Sequence, residues 1–135
     1  MGMTDPIADM LTRIRNGARI YRERVGMPYS QVKEGVLRVL KDEGFIADYK
    51  VIDQENGRRT LFVFLKYGPD GEQVINRLQR VSKPSRRVYS PVLGLARNQV
   101  LEGLGVAVVS TSQGIMSDRE CVKRHLGGEI ICSVW

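Results

Sequence analysis

The chain has 135 residues, of which 42% are hydrophobic, and its 21 lysines and arginines outnumber 15 acids to give a formal charge of +6. This length and apolar content indicate one domain or two small ones and exclude a fully disordered chain. The basic balance favours a polyanionic partner, although a soluble basic protein without one has the same composition. Neither a long apolar span nor a signal peptide is visible, so we expect a cytoplasmic protein.

The first predicted element is an amphipathic helix over residues 5–21. Apolar residues recur there at helical spacing from Ile7 to Tyr21. Thr4 is a good N-cap, and Pro6 suits the first turn. The basic residues Arg13, Arg15, Arg19 and Arg22 lie largely off the apolar stripe. They form either a row that faces phosphates or a solvated face, and the solvated face is the commoner situation for a single arginine.

A second helix and a hairpin are predicted next. Met27 to Ser30 suits a short strand, and Ser30 can cap a helix that Gly44 ends. Its predicted buried stripe is Val32, Val36, Val39 and Leu40. Strands at Phe45–Ile52 and Thr60–Lys66 are joined by D-Q-E-N-G, which predicts a hairpin. Because residues 61–65 are apolar throughout, we expect the second of these strands to be covered on both faces.

The middle of the chain is less regular. Tyr67 to Glu72 breaks all periodicity and is a candidate linker between two halves. Val74 to Val81 fits either a helix or a strand. Leu93 to Leu101 suits a short helix.

A basic stretch runs from Arg80 to Pro91. Its cations are Arg80, Lys83, Arg86 and Arg87, placed around Pro84, and Tyr89 follows them. Basic groups position a phosphate backbone and an aromatic ring stacks on a base, so the stretch suits RNA. A polar connector with a core tyrosine explains the same residues equally well.

Three consecutive hydroxyl residues, Ser110, Thr111 and Ser112, follow the apolar run at Val106–Val109. Gly114 predicts a turn in which a ligand backbone can approach closely. Ser117 with Glu120 is typical of a capping box, with the Glu120 carboxylate reaching back to the Ser117 amide. A last apolar run, Ile130–Trp135, predicts a core strand. Hydroxyl groups held at a strand end suit recognition of a shaped polar surface such as folded RNA.

Other chemistries are poorly supported. No phosphate-binding glycine loop is present, which argues against a nucleotide-dependent enzyme. Cys121, His125 and Cys132 are too few for a protein-only zinc site, so buried inert thiols are expected. The single histidine gives no hydrolytic triad. We therefore expect no enzyme activity, no metal and no cofactor.

Four blocks, in order along essentially the whole chain, resemble the bacterial small-subunit ribosomal protein S8 family. They are M-T-D-P-I-A-D-M-L-T-R-I-R-N at residues 3–16, K-Y-G at 66–68, R-V-S-K-P-S-R-R-V-Y at 80–89, and the segment 103–135 with G-L-G-V-A-V-V-S-T-S and G-G-E. The chain departs from the usual family pattern at Gln113, where a basic residue is typical, at Glu102, and at His125, where the family has a helix-ending glycine.

The resemblance implies an α+β fold: an N-terminal α/β domain, two helices on a small sheet at residues 1–67, packed on a mostly β C-terminal domain with short helices at 74–135. Residues 68–73 are then the linker, and Val74–Val81 is a strand. The implied function is structural: binding the central domain of small-subunit rRNA early in assembly, beside neighbouring ribosomal proteins. Repression of translation from the messenger RNA of its own operon is also implied.

The resemblance places three groups of residues at RNA. The hydroxyl block contributes Ser110, Thr111, Ser112, Gly114 and, near the same surface, Glu129. The basic loop contributes Lys83, Arg86 and Arg87 as phosphate contacts and Tyr89 as an aromatic contact. The first helix contributes Arg13, Arg15 and Asn16 to a second rRNA segment.

Overall fold

The computed structural model describes residues 5–135, which form an α+β protein. The chain divides into two compact units, Asp9–Ile75 and Asn76–Trp135, and residues 5–8 belong with the second. We call these the N-terminal and C-terminal units. The domain limits expected from the sequence stay a prediction.

The first helix, α1, spans Pro6–Arg19. Met10, Leu11 and Ile14 on its apolar stripe are fully buried. Thr4, the predicted cap, lies outside the described residues, and the Asp5 carboxylate accepts a hydrogen bond from the Ala8 amide at 3.1 Å. Asp5 therefore caps the start of the helix, and the cap expected at Thr4 stays a prediction.

The second helix, α2, spans Gln31–Asp42, and the Ser30 hydroxyl caps it by accepting from the Lys33 amide at 3.1 Å. The prediction for Val32 is wrong, since this side chain is 47% exposed. Lys33 is buried instead, and its ammonium donates to the Pro28 carbonyl at 3.1 Å. The carbonyl satisfies the charged end, so the lysine stem can take an apolar place.

Three antiparallel strands complete the N-terminal unit in the order β1-β3-β2. Strand β1 is Arg24–Pro28, β2 is Ile46–Asp53 and β3 is Arg59–Leu65. The hairpin prediction for β2 and β3 is confirmed. The expectation that β3 is covered on both faces is wrong, because Leu61, Val63 and Leu65 are buried whereas Phe62 and Phe64 are only half-buried.

The C-terminal unit contains a five-stranded sheet in the order β4-β8-β6-β7, with β5 also paired to β8. Its elements in chain order are β4 (Leu78–Arg80), β5 (Tyr89–Ser90), α3 (Val92–Arg97), a 3-10 turn (Val100–Gly103), β6 (Val106–Thr111), β7 (Gly114–Ser117), α4 (Asp118–Arg124) and β8 (Gly128–Val134). The strand expected at Val74–Val81 is thus three residues long. Strand β7 is not predicted from the sequence, because Gly114 indicates only a turn there.

The short helix α4 shows half of the expected capping box. The Ser117 hydroxyl accepts from the Glu120 amide at 3.2 Å. The Glu120 carboxylate does not complete the box: it accepts from Arg124 Nε at 2.8 Å. His125 ends the helix in the left-handed conformation, with φ 56° and ψ 45°. No helix among the described residues is long and apolar enough to cross a bilayer.

Candidate nucleic-acid interface

The hydroxyl block lies at the end of β6 and in the turn to β7. Thr111 Oγ1 donates to the Gly114 carbonyl at 2.7 Å and accepts from the Gln113 amide at 3.1 Å. This hydroxyl therefore shapes the turn, whereas the sequence analysis placed all three before the turn. Ser112 is exposed and Ser110 is half-buried. Gly114 has φ 112°, which only glycine adopts readily, and no atom lies within 4 Å of where a Cβ would be.

Strand pairing brings three distant residues into one row. Tyr89 of β5 lies opposite Glu129 of β8, and Glu129 lies opposite Ser110 of β6. Directly opposed residues on neighbouring antiparallel strands have Cβ atoms about 5 Å apart. An aromatic ring, a carboxylate and a hydroxyl thus lie across three strands, next to the turn that carries Ser112.

The basic loop is held by a buried serine. Ser82 is fully buried, and its hydroxyl accepts from the Val88 amide at 2.8 Å and donates to the Val88 carbonyl at 3.2 Å. Between these anchors, the Lys83 amide donates to the Arg86 carbonyl at 2.9 Å, and the reverse bond is 3.0 Å. The loop is therefore a closed turn with an exposed tip, and Lys83, Arg86 and Arg87 are all exposed.

Each remaining member of the basic stretch has a distinct environment. Arg80 is nearly buried and pairs with Asp5 at 3.1 Å while donating to the Ile131 carbonyl, so it is structural. Tyr89 is 69% exposed, which overturns the alternative of a core tyrosine. Arg87 Nη1 lies 3.0 Å from the Glu129 carboxylate, whose side chain is only 19% exposed. Glu129 therefore fixes the direction of one loop cation.

Gly127 and Gly128 have a structural role that was not predicted from the sequence. A Cβ on Gly128 would overlap the carbonyl oxygen of Ser110, and one on Gly127 would lie 2.6 Å from the carbonyl oxygen of Ser90. In the sequence the only sign of this role is a pair of adjacent glycines at the start of a strand, and the pair does not indicate which strand they approach. The pair lets β8 approach both neighbouring strands closely, which positions Ser110.

The first-helix residues belong to a separate part of the fold, since Arg13, Arg15 and Asn16 lie in the N-terminal unit. All three are exposed. Arg13 is partly engaged: it pairs with Asp9 at 2.9 Å and donates to the Gly26 carbonyl at 3.2 Å. For Arg15 a phosphate-facing row and a solvated face both stay open, and the contact of Asn16 with a second rRNA segment stays a prediction.

Buried groups beneath the sheet are inert or structural. Burial raises the pKa of Cys121 to about 11 and that of Cys132 to about 12, so both thiols stay protonated. Within residues 5–135 no cluster of histidine, cysteine and acidic side chains could hold a metal ion. Asp118 is 3% exposed and accepts from the Ala107 amide at 3.3 Å, beside a cavity of about 190 Å³. Burial raises its pKa, an effect opposed by that hydrogen bond.

Comparisons with known proteins agree with the resemblance. The family model described as "Ribosomal protein S8" matches residues 5–135. The chain is 51% identical to "Small ribosomal subunit protein uS8" of Thermus thermophilus over 140 aligned residues, which cover 98% of this chain and 99% of that protein. Its identity to the proteins of the same name from Corynebacterium jeikeium and Geobacillus kaustophilus is 51% and 50%, over the full length of each. The chain therefore belongs to the ribosomal protein S8 family.

Proposed function

We propose that this protein is a non-catalytic structural component of the small ribosomal subunit that binds the central domain of the small-subunit rRNA early in assembly. Family membership supports the ribosomal role, and relatives of similar length carry the name of a small-subunit protein. The observation that carries the RNA-binding part is the row formed by Tyr89, Glu129 and Ser110 beside the exposed Ser112.

The hydroxyl turn reads an irregular RNA helix. Regular A-form RNA hides its base edges in a deep groove, whereas bulged or unpaired bases and 2′-hydroxyls are accessible. A serine hydroxyl both donates and accepts, so Ser110 and Ser112 can bond either kind of group. Thr111 acts indirectly by holding the turn, and Gly114 keeps it free of side-chain bulk, so that RNA can approach the backbone.

The basic loop anchors the phosphate backbone. Lys83 and Arg86 extend from an exposed tip, and Arg87 is aimed by its ion pair with Glu129. Phosphate contacts of this kind set the register of a nucleic acid without reading its sequence. Tyr89 offers its exposed ring to an unstacked base, and Glu129 retains carboxylate lone pairs that can accept from a base amino group.

The N-terminal unit contributes a weaker second contact. Arg13, Arg15 and Asn16 are exposed on α1 and touch another rRNA segment in this proposal. Arg13 already pairs with Asp9, so its contribution is smaller than that of a loop arginine with no acid beside it.

Co-sedimentation with small subunits is the decisive measurement. A ribosomal component stays with purified subunits after a moderate-salt wash, whereas a repressor that binds only messenger RNA remains in the supernatant. Absence from the subunits would contradict the ribosomal role.

Filter binding to an rRNA central-domain fragment and to the leader of its own operon then compares the two RNAs, because the same turn would bind a messenger helix of the same shape. Affinity for the fragment should fall steeply with salt.

A further inference from the structure

The solvent face of the N-terminal sheet carries two neighbouring aromatic side chains. Phe62 and Phe64 alternate with the buried residues of β3, the central strand, so both rings lie on the face away from the core. Residues two apart on a strand are separated by roughly 6.6 Å along it. Both rings are half-buried, and aromatic or guanidinium planes on a central sheet strand are the groups on which sheet faces stack bases.

A cation covers each ring. The Arg24 guanidinium from β1 lies 5.4 Å from the centre of Phe62, and the Lys50 ammonium from β2 lies 5.6 Å from the centre of Phe64. In the strand register Arg24 is opposite Phe64 and Lys50 is opposite Phe62. Each cation therefore reaches diagonally, from either side, over the central strand. A guanidinium that lies on a ring leaves its second face open, and RNA bases stack on such planes.

Glycine allows this packing on the β1 side. Gly26 lies directly opposite Phe62, and a Cβ at that position would be 3.1 Å from Phe62 Cε1. The Phe62 ring can therefore lie over β1, because no side chain at position 26 occupies that space. The two phenylalanine rings then lie between Arg24 on one side and Lys50 on the other.

The charge of this face favours a polyanion. Among residues 5–135, neither Arg24 nor Lys50 forms an ion pair. The acid on this face, Asp48, is already paired with Lys41 at 3.0 Å.

We infer that this face, defined by Arg24, Lys50, Phe62 and Phe64, is a second RNA-binding surface that takes a single-stranded segment. Its bases stack on the open face of the Arg24 guanidinium, which Phe62 supports, and its phosphates pair with the N–H edge of Arg24 and with Lys50. An acidic peptide would satisfy the cations but would leave the open face of the Arg24 guanidinium without a stacking partner. The inference goes beyond the proposed function, because it needs neither the hydroxyl turn nor the basic loop.

The test measures binding of the full chain to a single-stranded oligouridine of about 12 nucleotides by fluorescence anisotropy in a salt series. The double variant Arg24→Gln, Lys50→Gln should lose about tenfold in affinity, and the slope of log affinity against log salt should fall by about 1.4, or about 0.7 for each lost phosphate contact. The matched control is Arg38→Gln, Lys66→Gln, which removes two exposed cations of the same unit elsewhere. It should leave affinity and slope close to those of the unaltered chain.

A ring variant separates stacking from charge. Phe62→Leu keeps an apolar side chain and should lower oligouridine affinity about fivefold with an unchanged salt slope. An unchanged affinity in both Phe62→Leu and the double variant would overturn the inference. A loss confined to the cation variant would show that charge alone, without stacking, binds the oligonucleotide, and would also overturn it. If Phe62→Leu unfolds, Arg24→Lys supplies the same comparison, because it keeps the charge and removes the guanidinium plane.

Binding to the rRNA central-domain fragment is measured in parallel. Ser112→Ala should lower the affinity for the rRNA fragment and leave the affinity for oligouridine unchanged. The sheet-face variants should lower the affinity for oligouridine and leave the affinity for the fragment unchanged. Failure of the proposed function would therefore appear as a Ser112→Ala variant that binds the fragment normally. Failure of this inference would appear only in the oligouridine series.

Discussion

The two sheets present polar groups in different ways. In the C-terminal unit the candidate groups sit at a strand end, in a closed turn and in one strand-to-strand row, so the backbone fixes their positions. In the N-terminal unit the cations are at the ends of long side chains that lie over half-buried rings. A surface fixed by its backbone suits a partner of fixed shape, and a surface of long side chains suits a flexible strand. The predictions below test that difference.

The largest expected effect follows from Gly128→Val. The added side chain would collide with the Ser110 carbonyl, a backbone atom that cannot move without separating β6 from β8. We expect a loss of about 3 kcal/mol in the free energy of unfolding and of most affinity for the rRNA fragment. Urea unfolding monitored by Trp135, the only tryptophan, measures the first.

Gly57→Ala is the control for that prediction. Gly57 has φ 80° but no atom within 4 Å of a Cβ, so only backbone strain of about 1 kcal/mol is expected. Equal costs for the two variants would mean that the close approach at Gly128 does not hold the row together.

The second prediction separates the two kinds of hydroxyl in the turn. Ser112→Ala should reduce affinity for the rRNA fragment by about 1–3 kcal/mol with unchanged stability, because RNA is the only partner that the proposed interface gives this exposed hydroxyl. Thr111→Val should lower the free energy of unfolding by about 1 kcal/mol, since it removes both hydrogen bonds of the turn. Filter binding and urea unfolding of both variants are the measurements. Normal RNA affinity in Ser112→Ala would remove this hydroxyl from the interface.

A third prediction concerns the buried carboxyl of Asp118. Because its pKa is raised in the folded protein, the folded state holds the proton more tightly than the unfolded state. The stability from this group is complete below the ordinary carboxyl pKa and is lost as pH rises through the folded pKa. The unaltered chain should therefore lose stability relative to Asp118→Asn as pH rises from about 4 to about 7, in paired urea unfolding curves. A difference that stays constant with pH would contradict the raised pKa.

Local sequence patterns predict much of the fold. The hairpin, the Ser30 and Ser117 caps and the strand at Val106–Val109 all depend on neighbouring residues, and each is present. Val32 is exposed and Lys33 is buried, because the Pro28 carbonyl accepts a hydrogen bond from the lysine ammonium. The spacing of apolar residues cannot reveal that contact.

The site depends on contacts that are distant along the chain. Strand register alone brings Tyr89, Ser110 and Glu129 together. Glycine is required at position 128 because the carbonyl oxygen of Ser110 lies where a Cβ would be. The resemblance to a known family named these residues together, but the residues alone did not. The aromatic face on β3 was missed because its apolar run was interpreted as doubly buried.

The smallest expected effect, at His125, tests how far a backbone feature of the C-terminal unit can change without altering its surface. His125 has φ 56°, a conformation that costs a side chain energy and glycine none, and its exposed imidazole bonds no described residue. His125→Gly should therefore raise the free energy of unfolding by about 0.5–1 kcal/mol, after the greater freedom of glycine in the unfolded chain is subtracted. Tyr21 is the matched position in the N-terminal unit, with φ 58°, but its ring lies 5.4 Å from that of Tyr67. Tyr21→Gly should gain nothing, because the lost ring contact offsets the relieved strain. Thermal unfolding of the two variants would reject this account if both gained equally, since the side chain would then contribute nothing at either site.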